Sequence, residues 1–179
     1  MLINNDNPTI ELKFFNLNTR RVLPMIYKER MTAQMEGDFV VFLIGMRFNQ
    51  PWKIHQWLPV VRGMGQMLTE LYRHPELGLV HHEMWFARTI IQVQYWRSMG
   101  QLLDYAKNKD AEHLPAWKNF NRHIAKNASV GIWHETYAAQ KGSYENIYHN
   151  MPAFGLGRAG QLVPVHGKRD SAQDRLVNS

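Results

Sequence analysis

The chain has 179 residues, which suits one domain with additional length at its ends, and 45% of them are hydrophobic, enough for a sizeable core. There is no cysteine, which excludes disulfides, thiolate nucleophiles, Cys-ligated zinc and iron–sulfur clusters. The net charge is +6, but apart from the pairs Arg20–Arg21 and Lys168–Arg169 the cations are scattered among acids. With no basic stripe and no nucleic-acid motif, a nucleic-acid partner is not expected.

The opening stretch MLINNDNPTIELKFF lacks a basic segment followed by an apolar one, so no signal peptide is expected. No run approaches ~18 apolar residues, so no membrane span is expected either. The absence of cysteine suits a cytoplasmic protein. Residues 1–36 read as an N-terminal arm, whose Val22, Leu23, Met25 and Ile26 are candidates for packing on the main body. Residues 37–138 read as the compact domain and 139–165 as an irregular C-terminal wrap. Tyr144, Ile147, Tyr148, Met151, Phe154 and Leu156 make that wrap too apolar for a free tail. The polar residues 166–179 read as a mobile tail.

Inside the domain, FVVFLIGMRF (39–48) predicts a strand from its short apolar, β-branched and aromatic run. PWKIHQWLPVVRGMGQMLTELYRH (51–74) predicts a helix. Pro51 is expected in its first turn, Pro59 is expected to kink it, and Trp57, Val61, Met64, Leu68 and Leu71 form its inner stripe. LVHHEMWFA (79–87) and TIIQVQYW (89–96) predict two strands of a hairpin. SMGQLLDYAKN (98–108) and HLPAWKNFNRHIA (113–125) predict a helix broken near Asp110, and SVGIWHETYA (129–138) a last strand. The order β-α-β-β-α-β is the α+β, ferredoxin-like arrangement with a four-stranded antiparallel sheet. The first strand is apolar on both faces, with Phe39, Val41 and Leu43 on one and Val40, Phe42, Ile44 and Met46 on the other. Helices cover one face; the simplest cover for the other is a second sheet, which predicts a homodimer.

No G-x-G-x-x-G, Walker, G-x-S-x-G or H-E-x-x-H motif is present. HHE (81–83) looks metal-like, but on a strand His81 and His82 point to opposite faces, so a polar strand rim is expected and no metal site. Four clusters remain. His113 heads the stripe that continues through Trp117, Phe120 and Ile124. At a helix N-terminus its imidazole is favoured in the neutral form, which suits a general base at a cavity and equally suits a helix-end residue facing water. In GIWHETY, His134 shares a strand face with Val130, Ile132 and Thr136, so it faces the helices if they do. It is then either a partner of His113 or a satisfied core histidine. In QVQYWRS, Gln92, Gln94 and Trp96 share one face and Ile91, Val93 and Tyr95 the other. Arg47 and Asn49, at the end of the first strand before a helix, are candidates for holding an oxyanion.

QYWRS, HLPAWKNF, GIWHETY and MPAFGL, in that order, resemble a monooxygenase-like family of otherwise unknown function, over roughly residues 30–165. That family is similar to the antibiotic-biosynthesis monooxygenases of the dimeric α+β barrel superfamily. The resemblance implies a fold in agreement with the strand order, and an apolar cavity between sheet and helices for an aromatic or polyketide-like small molecule. It implies an oxygenase that uses no cofactor: a base removes a proton and the resulting carbanion or enolate reacts with dioxygen. His113 and His134 are then the catalytic candidates, and Trp117, Tyr95, Trp96, Tyr105, Arg47 and Asn49 the substrate-binding ones. Other superfamily members bind haem, so the alternative is a haem enzyme with His113 or His134 as axial ligand. In haem-degrading members a tryptophan and then a histidine lie on the second helix; here Tyr105 stands at the tryptophan, and His113 comes before the histidine position, near Trp117. A third reading is a non-catalytic small-molecule-binding dimer.

Overall fold

A computed structural model describes residues 24–108, 128–167 and 169–177. The second half of the predicted broken helix, with His113, Trp117, Phe120 and Ile124, lies outside the described residues.

Eleven residues beyond Asn49 and its turn, the chain is already in mid-helix, and the elements follow in a simple order. β1 (Met31–Gln34) precedes β2 (Phe39–Phe48), α1 (Ile54–Arg73), β3 (Leu79–Trp85), β4 (Thr89–Trp96), α2 (Met99–Lys107) and β5 (Val130–Ala139). A short helix α3 (Leu156–Ala159), β6 (Gln161–Pro164) and α4 (Ala172–Val177) complete it. β2 to β5 form one antiparallel sheet in the order β3-β4-β2-β5, the ferredoxin-like topology expected from the pattern. β2 is central, pairing with β4 and with β5 along nearly its whole length, which explains why both its faces are apolar.

One face of the sheet carries the helices. Val40 packs with Leu68, Leu71, Leu79, Trp96, Leu102 and Tyr105, and Met46 with Met64, Ile90 and Val130. The inner stripe of α1 is as expected, but Pro51 lies before the helix, in a turn whose carbonyl accepts Trp57 Nε1 at 2.8 Å. Pro59 is accommodated inside an unbroken helix, in its second turn, where only one backbone hydrogen bond is forfeited. Ser98 caps α2 by accepting the Gln101 N–H at 3.2 Å, and Tyr105 Oη donates to Glu70 Oε2 at 2.7 Å, tying α2 to α1.

The outer face is covered in part by the chain itself. β1 pairs antiparallel with β6, and Met31 also exchanges two 2.8 Å backbone hydrogen bonds with Tyr148. The Asn146 amide completes this edge, accepting from the Ala33 N–H and donating to the Ala33 carbonyl. The assembly lays Ala33, Leu156, Tyr144 and Tyr148 on Phe39, Val41 and Tyr95. Over that half of β2 the cover therefore comes from the chain itself rather than from a second sheet. Two further expectations change. Met25 and Ile26 are exposed rather than packed, the wrap pairing with residues 27–34 beyond them, while Val22 and Leu23 lie outside the described residues. The polar C-terminal stretch contains α4, whose buried Arg175 pairs with Glu145 and donates to the carbonyls of Arg169 and Asp170.

Candidate active site

The period of two along each strand sorts the candidate residues between the faces. On the helix side of the sheet, register places Met84, Gln92, Ile44 and His134 side by side across β3, β4, β2 and β5. The neighbouring row is His82, Gln94, Phe42 and Thr136. Two polar rows thus cross the apolar face between the Val40–Trp96 and Met46–Met64 clusters. Val130 and Ile132 do face the helices, so His134 shares that side, with its ring 5.7 Å from Phe42. It is exposed and has no hydrogen-bond partner among the described residues, so it is not a satisfied core histidine. His82, on the same side at the β3 edge, lies 2.6 Å from Tyr72 Oη through Nδ1. Burial, then the charge of His81, pushes its pKa down, and burial pushes that of Tyr72 up, so both stay neutral.

The two glutamines are deeply buried and joined in a chain. Trp96 Nε1 donates to Gln94 Oε1 at 3.0 Å, and Gln94 Nε2 donates to Gln92 Oε1 at 2.8 Å. Trp96 also stacks at 5.8 Å against Tyr105, so these two predicted residues meet, but in packed core rather than along a cavity wall.

Tyr95 is not with them. It points to the outer face, where sequence reasoning expected only a polar rim. There His81 Nε2 and Glu83 Oε1 pair at 3.1 Å with side chains only 15% and 16% exposed. Glu83 also accepts the Gly155 N–H at 3.1 Å, and Tyr148 Oη accepts the Gly157 N–H at 3.1 Å. Tyr95 lies against the same turn, and burial, aided by Tyr148 and Glu83, pushes its pKa up to about 12 against the Leu156 N–H, which opposes the rise. Burial likewise raises Tyr148. HHE, QYW and MPAFGL, separate in sequence, meet here. The signal available beforehand was the alternation that placed His81, Glu83 and Tyr95 on one face; the wrap that buries them was not predictable from any local pattern.

Arg47 and Asn49 are turned to separate partners. Arg47 is exposed on the outer face and donates to Thr89 Oγ1 at 3.1 Å, while Asn49 Nδ2 donates to the Ala128 carbonyl at 3.0 Å. A hollow of about 590 Å³ lies where the two-stranded sheet meets the main one, lined by Glu36, Asp38, Arg97 and Lys141 among others. It has charges of both signs and touches none of the candidate residues. Among the described residues, no three His, Asp or Glu side chains gather as metal ligands. His113, with His134 a candidate for a haem axial ligand, lies outside the described residues.

Fold and site together define an α+β, ferredoxin-like domain whose apolar helix-side face is crossed by two rows carrying Gln92 and His134, and His82 and Gln94. The chain belongs to the Monooxygenase af470-like family, which matches residues 39–156 and so includes the whole four-stranded sheet. It is 25% identical over 181 residues to a protein of Aspergillus fumigatus named Monooxygenase af470, with 89% of this chain and 64% of that protein covered. The chain thus spans under two thirds of the length of that curated relative. Among solved structures, an aldoxime dehydratase (OxdRE) in complex with butyraldoxime is similar in fold, with a TM-score of 0.59 and 15% identity. That likeness covers 73% of this chain and 40% of the dehydratase. SnoaB, a cofactor-independent oxygenase from Streptomyces nogalater, matches at a TM-score of 0.41 and 15% identity, covering 57% of this chain and 94% of SnoaB. No helix among the described residues is long and apolar enough to cross a membrane.

Proposed function

We propose that this chain is a monooxygenase-type enzyme that uses no cofactor and oxidises an apolar, ionisable small molecule, aromatic or polyketide-like, with dioxygen. Membership of a monooxygenase-like family supports the reaction class. The observation that carries the site is His134, which has no hydrogen-bond partner among the described residues and stands at the β5 end of the row that holds Gln92. An imidazole beside an apolar surface can orient a second imidazole that takes a proton from an activated CH₂ group, or hydrogen-bond the substrate itself. The carbanion left behind adds dioxygen to give a peroxide, and protonation and loss of water leave one oxygen atom in a new carbonyl. The substrate itself supplies the electrons, so no redox group is required. His113, outside the described residues, is proposed as the base and His134 as its partner or as a hydrogen-bonding group to the substrate, with Trp117 as a wall. Tyr95, Arg47 and Asn49 face elsewhere and have no place in this proposal.

We further propose that the molecule works as a homodimer through the uncovered part of the outer face. The test of activity is oxygen uptake with anthrone, a flat ketone with an acidic CH₂, by protein treated with chelator and free of a Soret band. Uptake above the spontaneous rate is expected, and His113→Ala or His134→Ala lowers it by ~10²-fold or more with folding retained. Uptake that appears only after adding haem, or none from the wild-type protein, overturns the reading.

A further inference from the structure

The Trp96–Gln94–Gln92 chain has a direction, and its chemistry sets it. An indole N–H can only donate, so Gln94 must turn its carbonyl oxygen to Trp96. The Gln94 amide nitrogen is then left to donate to the Gln92 oxygen. Gln92 must therefore present its own NH₂ beyond the chain, and Gln92 Nε2 has no partner among the described residues although the residue is only 2% exposed. Leaving such a donor unpaired in a protein interior costs about 1–3 kcal/mol. Each donation polarises the next amide, so the terminal NH₂ is a stronger donor than an isolated one. Its cross-strand neighbours are Ile44 and Met84, and Met46, Met64 and Met67 belong to the adjoining cluster. Methionine side chains are unbranched and adaptable, and such a wall yields to an entering apolar group more readily than branched residues do.

We propose that this chain is a recognition subsite for a carbonyl oxygen, in which Gln92 Nε2 donates to the ketone or enolate oxygen of an apolar ligand lodged between the sheet and α1. The inference rests on the helix-side substrate reading above and adds the group that the ligand must carry. A neutral donor accepts a neutral ketone without a desolvated charge, and its hydrogen bond strengthens as negative charge develops on the oxygen. Gln92 is thus a binding residue, Gln94 and Trp96 are positioning residues, and a hydrocarbon of the same shape gains nothing from the chain.

The probes are α-tetralone and tetralin, bicyclic compounds of one size that differ in a carbonyl. Binding to the full chain is measured by calorimetry, and the tetralone C=O stretch by difference infrared spectroscopy. The wild-type protein binds tetralone more tightly than tetralin, with the stretch moved to lower frequency. Gln92→Met removes the shift and weakens tetralone by ~10-fold, with tetralin binding unchanged. Gln92→Glu keeps an acceptor for Gln94 and, measured at a pH where its buried carboxyl is ionised, offers no donor, so it gives the same discrimination there if the apolar replacement fails to fold. No tetralone binding by the wild-type protein, an unshifted stretch, or an unaltered shift in the folded variants overturns the subsite. Neither probe assay involves oxygen uptake, so ketone binding at Gln92 without turnover of anthrone would remove the monooxygenase reading alone.

Discussion

Glu83 Oε1 accepts the backbone N–H of Gly155, 72 residues further along the chain, at 3.1 Å. The same oxygen faces His81 and, at 3.9 Å, Arg158. A carboxylate on the edge strand β3 thus holds the wrap down on the sheet. Glu83→Ala orphans a buried N–H and a buried imidazole together and is expected to cost about 1–3 kcal/mol in urea denaturation. Faster proteolysis within residues 152–158 should accompany it. Equal stability and equal proteolysis in the variant would remove the wrap-holding role.

Gly155 is where the wrap turns to meet that carboxylate. Its φ of 54° and ψ of −123° suit glycine, and an added Cβ would stand 3.0 Å from Tyr95 Oη. Gly155→Ala is expected to cost about 1–3 kcal/mol. The double variant Gly155→Ala/Tyr95→Phe should recover the part due to the hydroxyl contact and not the backbone strain. A thermal-denaturation cycle with no coupling between the positions contradicts this geometry.

Tyr95 links that region to alkaline stability. Its pKa is raised from 10.0 to about 12 in the folded chain, chiefly by burial. The neutral phenol therefore contributes stability that is fully present below pH 10 and is lost as pH rises through 12. Tyr95→Phe should flatten the stability profile in that window. The wild-type protein should show fewer tyrosinate groups titrating near pH 10 than the denatured chain, and Tyr95→Phe should remove one of its late-titrating groups.

The helix-side architecture was readable from the sequence because it is local. Alternation on four strands put Val130, Ile132 and His134 together, and paired Gln92 with Gln94, before any tertiary contact was known. The same alternation separates Tyr95 from Trp96, so a pocket using both was never available to one strand. What local pattern cannot supply is the partner of an apolar face. The doubly apolar β2 asks for cover, but whether Leu43 and Phe39 are covered by one element or two depends on where residues 144–164 go. Glu83 and His81 were read as a rim for the same reason: their burial comes from a turn in the wrap, not from their own strand.

His82 sets a second pH response, in the acidic range. Its pKa lies below the ordinary 6.5, by burial first and then by repulsion from His81. The unfolded chain takes up the proton more readily, so the stability is present above pH 6.5 and is lost as pH falls through the depressed folded value. His82→Gln should flatten that decline in urea titrations taken at a series of pH values. Parallel profiles for wild-type and His82→Gln proteins would assign the acid sensitivity to other groups.

The proposed homodimer makes the last prediction. Beyond the reach of the wrap, the outer face presents Leu43, Ile91 and Val93 half-buried, the Trp133 indole seated over Gly45, and Tyr137 at 53% exposure. Stable interfaces bury ~800 Å² per partner, which a β4-β2-β5 patch of this kind can provide. In a two-fold contact every residue is used twice, so one substitution enters the interface as a pair. Leu43→Glu with Tyr137→Glu would place like charges in an apolar contact while leaving the helix-side core untouched. Light scattering should report a dimer for the wild-type protein at micromolar concentration and a monomer for the variant, with circular dichroism preserved. Gln92 and His134 lie on the opposite face, so tetralone binding by the monomeric variant should persist. A wild-type monomer at that concentration would show that the arm and wrap already suffice as cover for the doubly apolar strand.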